Sequence, residues 1–202
     1  MIIVVSPNSN FPNEPLHVNN MLDNGLELFH FRKYASSDEL ALEYLDNIDV
    51  SLRKKIVLHS HHHLASEFED IERLHFNSYD RIRGKQLEYN GKYIFSTSTH
   101  SIQEFNELNK TWSYAFLSPI FKSISKPGHG VENSVFEDIE LKENEDVDLI
   151  GLGGIEYQNM ERVLEKGSDG IALLGSIWNQ IDPTNYLITC KEKLALWKAD
   201  QP

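Results

Sequence analysis

The segment from Val147 to Ile177 constrains the fold of this chain more than any other. It reads D-L-I-G-L-G-G-I, then a helical stretch, then S-D-G-I-A-L-L-G-S-I. The apolar runs Leu149–Leu152 and Gly170–Leu174 are too short for helices and lack strict alternation, as in parallel strands buried on both faces. Between them, Met160, Val163 and Leu164 fall at helical spacing within Tyr157–Glu165, and Gly167 sits where that helix would end. The unit is strand, loop, helix, strand. One strand runs into Gly153-Gly154 and the next into Gly175-Ser176. Glycines after neighbouring parallel strands let backbone N–H groups approach an anion closely. Such a pair is expected to cradle phosphate after strands 7 and 8 of an eight-stranded β/α barrel.

The rest of the chain supplies the other six strands: Ile2–Val5, Leu26–Phe31, Lys55–His59, Glu72–Phe76, Tyr93–Ser98 and Ser113–Leu117. Helices are expected over Glu14–Asn24, from an N-cap at Ser37 to about Asn47, over Leu64–Glu69, over Ile102–Leu108 and over Asn185–Leu196, with a frayed tail from Lys198. The stretch 77–90 reads as loop with room for one turn of helix. A sixth helix belongs within 131–145, but the acidic pattern there does not place it. The fold class is therefore α/β, a small single-domain TIM (β/α)8 barrel over residues 1–202, with an open doubly wound sheet as its competitor. The pair Gly153-Gly154 comes too late in the chain for a dinucleotide fingerprint in a first turn.

Charge narrows the partners. The 202 residues include 31 acidic and 19 basic side chains, for a formal charge of -12. That balance disfavours nucleic acid and anionic membrane, while a local basic pocket can still hold phosphate. No run approaches the about 18 apolar residues of a membrane span, and the start M-I-I-V-V-S-P has no basic leader. The single cysteine, Cys190, rules out an intrachain disulfide and reads as a buried helix residue. A cytoplasmic protein is expected.

Chemistry in a barrel gathers at the C-terminal ends of strands. His30, His59, His75 and His100 fall at four successive such ends, and imidazole suits proton transfer near neutral pH or metal binding. The run His59, His61, His62, His63 invites a zinc reading, yet its spacing matches no strong zinc signature and its members cannot all point inward. Which of the four faces the pocket is open at this level. Arg32 and Lys33 after strand 2, and Lys126 after strand 6, are suited to a diphosphate. Ser123 and Ser125 stand beside Lys126 as hydroxyl donors, and so do Ser96, Ser98 and Thr99 at strand 5. Asp80 is the best carboxylate for Mg²⁺ or proton transfer near strand 4.

Taken together, these stretches resemble thiamin phosphate synthase and its relative, the thiazole tautomerase. The resemblance runs through nearly the whole chain and is strongest from residue 94 onward. It rests on His30-Phe31-Arg32, His59-Ser60, His75-Phe76-Asn77-Ser78 with Asp80, and Ser98-Thr99-His100-Ser101. It continues in Ser118-Pro119-Ile120-Phe121 with Ser123-Ile124-Ser125-Lys126, and in Gly153-Gly154-Ile155, Asn159 and Gly175-Ser176-Ile177. The resemblance implies an enzyme that joins an aminopyrimidine methyl diphosphate to hydroxyethyl-thiazole phosphate and releases pyrophosphate. It implies His30, Arg32, Lys126 and His100 as catalytic residues. Gly153, Gly154, Gly175, Ser176, Ser123 and Ser125 would bind phosphate, and Asp80 would bind Mg²⁺. Ser60 stands where the synthase has its second carboxylate, and Pro119 where the tautomerase branch has its proton-transferring His. The alternatives it leaves are tautomerisation of a carboxythiazole phosphate, with another of the histidines as base, or thiazole phosphate binding without catalysis. Small phosphorylated partners are implied, and a homodimer is compatible with them.

Overall fold

A computed structural model describes residues 1–89, 91–121 and 134–199. Eight parallel strands close into a barrel: β1 (Ile2–Val5), β2 (Leu28–Phe31), β3 (Ile56–Leu58), β4 (Arg73–Phe76), β5 (Ile94–Thr99), β6 (Trp112–Leu117), β7 (Asp148–Leu152) and β8 (Gly170–Leu173). Each pairs with its sequence neighbours. β1 also pairs with β8, with Ile2, Ile3 and Val4 opposite Ile171, Ala172 and Leu173. That pairing closes the ring and excludes the open sheet.

The helices are α1 (Glu14–Asp23), α2 (Asp38–Asp46), α3 (Ser78–Ile82), α4 (Ile102–Asn106), α5 (Met160–Glu165), α6 (Gly175–Trp178) and α7 (Pro183–Ala199). Local chemistry explains several of their ends. The Ser37 hydroxyl accepts from the Leu40 N–H and caps α2, whose buried face is Ala41 and Leu45. Gly167 stops α5 by taking φ +109, a region an L side chain rarely enters.

Several expected bounds shift. The helix expected over Leu64–Glu69 is a 3-10 segment, His62–Ser66. The stretch read as loop from 77 holds α3, capped by Asn77, and a 3-10 turn at Lys85–Glu88. The helix expected within 131–145 is a 3-10 segment at Glu137–Leu141. α5 starts at Met160 rather than Tyr157. α7 begins two residues before the expected start and runs through Lys198, expected to be frayed. Short βα connections leave little chain for full helices, so packing against the barrel, more than propensity, decides how far each turn continues.

The barrel separates two apolar cores. Outward-facing side chains such as Val4, Phe29, Ile56, Leu74 and Leu149 pack under the helices. Inside, Ile3, Val5, Leu28, Val57, Ile150 and Ala172 pack with Tyr114 and Phe116. A register shift between β5 and β6 decides which aromatic enters. Phe95 lies opposite Trp112, but Ser96 lies opposite Tyr114, which leaves Ser113 as an extra, exposed residue. Trp112 and Tyr114 are two apart and would share a face in a regular strand. The bulge puts Trp112 in the outer core and Tyr114 inside the barrel.

Candidate active site at the C-terminal mouth

The glycine turns meet at one end of the barrel. Leu152 pairs with Ala172, so the turns leaving β7 and β8 are neighbours. Gly153 and Gly154 hold φ of +105° and +64°. A Cβ on Gly153 would lie 3.1 Å from the Pro119 Cα. The loop after β6 is laced to the first turn through Ile120 N–H to Leu152 O and Phe121 N–H to Gly153 O, both 2.9 Å. Asn159 braces it by donating to Gly154 O and accepting from the Glu156 N–H, each at 2.9 Å. The Ser176 hydroxyl donates to Ile155 O at 2.7 Å and ties the turns together. Among the described residues, none of the hydrogen bonds uses the N–H groups of Gly153, Gly154, Gly175 or Ser176. Converging free amides suit an anion. Gly153→Ala is expected to destabilise the protein by about 1–3 kcal/mol in urea unfolding, from the positive φ and the close backbone. An unchanged midpoint would contradict this account of the turn.

The histidine run sorts itself. His59 is buried and faces the barrel interior. His61, at φ +55°, turns away, with Nε2 donating to Ser36 O at 3.0 Å and Nδ1 accepting from the Ser60 hydroxyl at 2.8 Å. His62 donates Nε2–H to His75 O at 2.9 Å and packs on Phe76. His63 is exposed and pairs with Asp38. The four rings diverge, so the run is not a zinc site.

Inside, His30 Nδ1 meets His59 Nε2 at 2.5 Å and His30 Nε2 meets the Tyr114 hydroxyl at 2.6 Å. His75 Nδ1 and Nε2 lie 2.9 Å from Ser96 Oγ and Ser98 Oγ. Ring nitrogens of His30, His59 and His75 all fall within 4.8 Å of one another. A metal needs their lone pairs to converge. His59 and His75 instead stack at 3.8 Å with planes 12° apart, so their in-plane lone pairs cannot aim at one point. The serines also occupy both nitrogens of His75. The trio is a hydrogen-bonded assembly rather than a preformed metal centre. Burial is the leading cause that pushes all three pKa values well below the ordinary histidine value. Like-charge partners add to it: His75 and Arg73 for His30, His75, His30 and Arg32 for His59, and His62 and Arg32 for His75. His62 is held down to about 4, again chiefly by burial. These rings are neutral at pH 7.

The remaining candidates surround the mouth. Arg32 is half-buried, with Nη1 2.5 Å from Asn8 Oδ1. His100 is exposed. Its Nδ1 lies 3.1 Å from Ser118 O, which can only accept, so Nδ1 carries the proton. Asp80 accepts from Asn77 Nδ2 at 3.1 Å and lies 3.9 Å from Lys85 Nζ. It shares a cavity of about 380 Å³ with His59, Ser60, Lys85 and Tyr89. Lys126, Ser123 and Ser125 lie outside the described residues. Lys33 is placed elsewhere: its ammonium is buried, 2.7 Å from Glu14 and 3.1 Å from Ser9 O. That pair closes one side of a larger cavity, about 590 Å³, lined by residues of α1 and α2, and Lys33 is spent on Glu14 rather than offered to a ligand. Sequence reasoning missed Tyr114 and Glu14. Tyr114 leaves a signal in its alternation with Phe116, which sets both rings on the inner face, while the bulge turns Trp112 outward. Glu14 leaves a faint one, a carboxylate at the first position of a helix that is otherwise apolar on its inner side.

Comparison with known proteins places this geometry. A family model described as thiamine monophosphate synthase matches residues 1–177. The thiamine-phosphate synthase of Anoxybacillus flavithermus is 28% identical over 186 residues, covering 81% of this chain and 79% of its own length. That of Bacillus cereus is 23% identical over 185 residues, covering 87% and 84%. The thiamine phosphate pyrophosphorylase structure from Bacteroides thetaiotaomicron superposes with a TM-score of 0.79 at 23% identity, covering 96% of this chain and 98% of that one. The extent of the family match, reaching from β1 through the turn after β8, means that this chain belongs to the thiamine monophosphate synthase family.

Proposed function

We propose that this protein is a thiamin phosphate synthase, which joins an aminopyrimidine methyl diphosphate to hydroxyethyl-thiazole phosphate and releases pyrophosphate. The observation that carries this reading is the convergence of two glycine turns with amides free of acceptors among the described residues, beside a polar mouth. The thiazole phosphate is assigned to the amides of Gly153, Gly154, Gly175 and Ser176. The Ser176 side chain acts indirectly, through its bond to Ile155 O.

The pyrimidine is assigned to the β2–β4 side, against His59. His30 is fully buried with both ring nitrogens engaged, so it acts on the pyrimidine by holding His59. The diphosphate is assigned to Arg32, with Lys126, Ser123 and Ser125 approaching from the loop after β6. His100 faces the same mouth with its Nε2 lone pair turned away from the carbonyl partner, able to accept a proton there. In the reaction the C–O bond to the diphosphate breaks and its electron pair leaves with pyrophosphate. The pyrimidine stabilises the cation that remains. The thiazole nitrogen lone pair then forms the C–N bond. Arg32 opposes the charge that builds on the leaving group.

Asp80 fits Mg²⁺ as a single carboxylate facing a cavity that also holds the Ser60 hydroxyl. A small hard cation is commonly held by one or two carboxylates together with substrate phosphates. Ser60 contributes no charge, so the substrate's own oxygens would complete the site. Bound there, the ion would neutralise the diphosphate.

The test is pyrophosphate release from purified protein given both substrates. Release that needs both substrates and Mg²⁺ is expected. Arg32→Ala should cut kcat/KM by about 10²–10³ without moving the unfolding midpoint. No release from the wild type, with thiazole phosphate binding intact, would overturn the synthase reading, and full activity in Arg32→Ala would overturn its diphosphate role.

A further inference from the structure

Tyr114 is buried inside the barrel, and among the described residues its hydroxyl has a single hydrogen-bond partner, His30 Nε2 at 2.6 Å. His30 Nδ1 lies 2.5 Å from His59 Nε2. His59 in turn lines the cavity at the mouth. Its Nδ1 has no protein partner among the described residues and is not sealed off, so it opens on that cavity. The three residues form a file with a closed inner end at the phenol and an open outer end at His59.

Neutral imidazole and phenol each donate and accept, so the file can carry its protons in two senses. In one, the phenol donates to His30 Nε2, His30 Nδ1–H donates to His59 Nε2, and the His59 proton sits on Nδ1, facing the cavity. In the other, His59 Nε2–H donates inward, His30 Nε2–H donates to the phenol oxygen, and the phenol proton is left in the core without an acceptor. A buried donor without an acceptor carries its full desolvation penalty, which favours the first sense by about tenfold or more. His62, His61 and His100 are each pinned directly by a carbonyl, which can only accept. His59 is set from two residues away.

We infer that His59 presents a fixed N–H donor to the mouth, oriented by Tyr114 through His30, and that the site selects a ligand with a lone pair at that point, an unprotonated ring nitrogen or a carbonyl oxygen. A ligand with an N–H or an ammonium group there meets a second donor and is rejected. Burial, with His75, His30 and Arg32 nearby, keeps the His59 ring uncharged, so the contact orients the ligand without adding charge to it. Tyr114 and His30 are positioning residues, since their hydrogen bonds are to each other and to His59. The orientation of His59 stands whichever ligand occupies the mouth. The ligand half rests on the proposed placement of the aminopyrimidine, one of whose ring nitrogens would accept from His59 Nδ1–H.

Long-range proton–nitrogen correlation spectra of ¹⁵N-histidine-labelled wild-type protein, without ligand at pH 7.5, report each tautomer. His30 and His59 are expected as neutral Nδ1–H rings. In Tyr114→Phe the His30 Nε2 resonance should move to that of a bare imine nitrogen, because its donor is gone. A wild-type His59 with its proton on Nε2 or shared between both nitrogens overturns the inference, and so does a His30 Nε2 resonance that ignores the loss of the phenol. Calorimetry then compares the aminopyrimidine methyl diphosphate with its two analogues in which one ring nitrogen is replaced by C–H. One analogue should bind the wild type about 10–100-fold more weakly than the parent, and in His59→Leu that gap should close. Analogues that both bind the wild type like the parent, or a gap that persists in His59→Leu, overturn the selection even if pyrophosphate release is normal. The wild-type spectra and the wild-type analogue series decide the matter if either variant does not fold. Absent pyrophosphate release, with an Nδ1–H His59 and one weakened analogue, would remove the synthase reading and leave this one standing.

Discussion

Unfolding free energy is expected to fall steeply as pH drops from 7 to 5. The sign follows from four buried histidines, His30, His59, His62 and His75, whose folded pKa values lie below the ordinary value near 6.5, that of His62 at about 4. Below about pH 6.5 the unfolded chain takes up protons that the folded chain refuses. Stability is therefore fully present above the unfolded pKa and is lost as pH falls toward the folded one. His62, held down to about 4, contributes about 2 kcal/mol to the loss between pH 7 and 5, and the three interior rings act in the same direction. Urea midpoints measured at half-unit steps would show this. His62→Gln should reduce the slope by roughly one histidine's share, since it leaves the barrel interior untouched. A midpoint that does not move between pH 7 and 5 would mean that these rings are solvated.

Lys33→Met is expected to cost about 3–5 kcal/mol, because it strands a charge. Glu14 and Lys33 side chains are 3% and 4% exposed and 2.7 Å apart. Tyr44 donates to the other Glu14 oxygen at 2.9 Å. Burial already raises the Glu14 pKa, against the lowering by Lys33 and Tyr44. Without the ammonium, the carboxylate must be buried unpaired or take up a proton. Adding Glu14→Leu to Lys33→Met should recover most of the loss, since a buried pair exchanged for apolar groups is often close to neutral. The double-mutant cycle in urea measures the coupling. A Lys33→Met variant as stable as the wild type would show that water reaches the pair.

Lys33 also illustrates how far residue type alone can be trusted. Beside Arg32 it reads as a second cation for a phosphate. The strand alternation that carries Leu28, His30 and Arg32 inward carries Phe31 and Lys33 to the helix side, where Glu14 meets the ammonium. The histidine run behaves in the same way. Its composition suggests metal, but the chain leaves β3 through a left-handed His61, and successive rings then point to the interior, α2, β4 and solvent.

The sequence by itself determined the parts that depend on neighbours along the chain. These are the short apolar runs of eight buried strands, the Ser37 cap, the stop at Gly167 and the two glycine turns after β7 and β8. Each follows from local sterics, local hydrogen bonding or periodicity. Only the tertiary structure decided the contacts between distant strands. Closure depends on β1 lying beside β8, and the outward turn of Trp112 depends on one extra residue against β5. The choice of His59 from its run depends on which ring finds His30. Such contacts join residues about 30 to 170 positions apart, and no property of either residue alone encodes them.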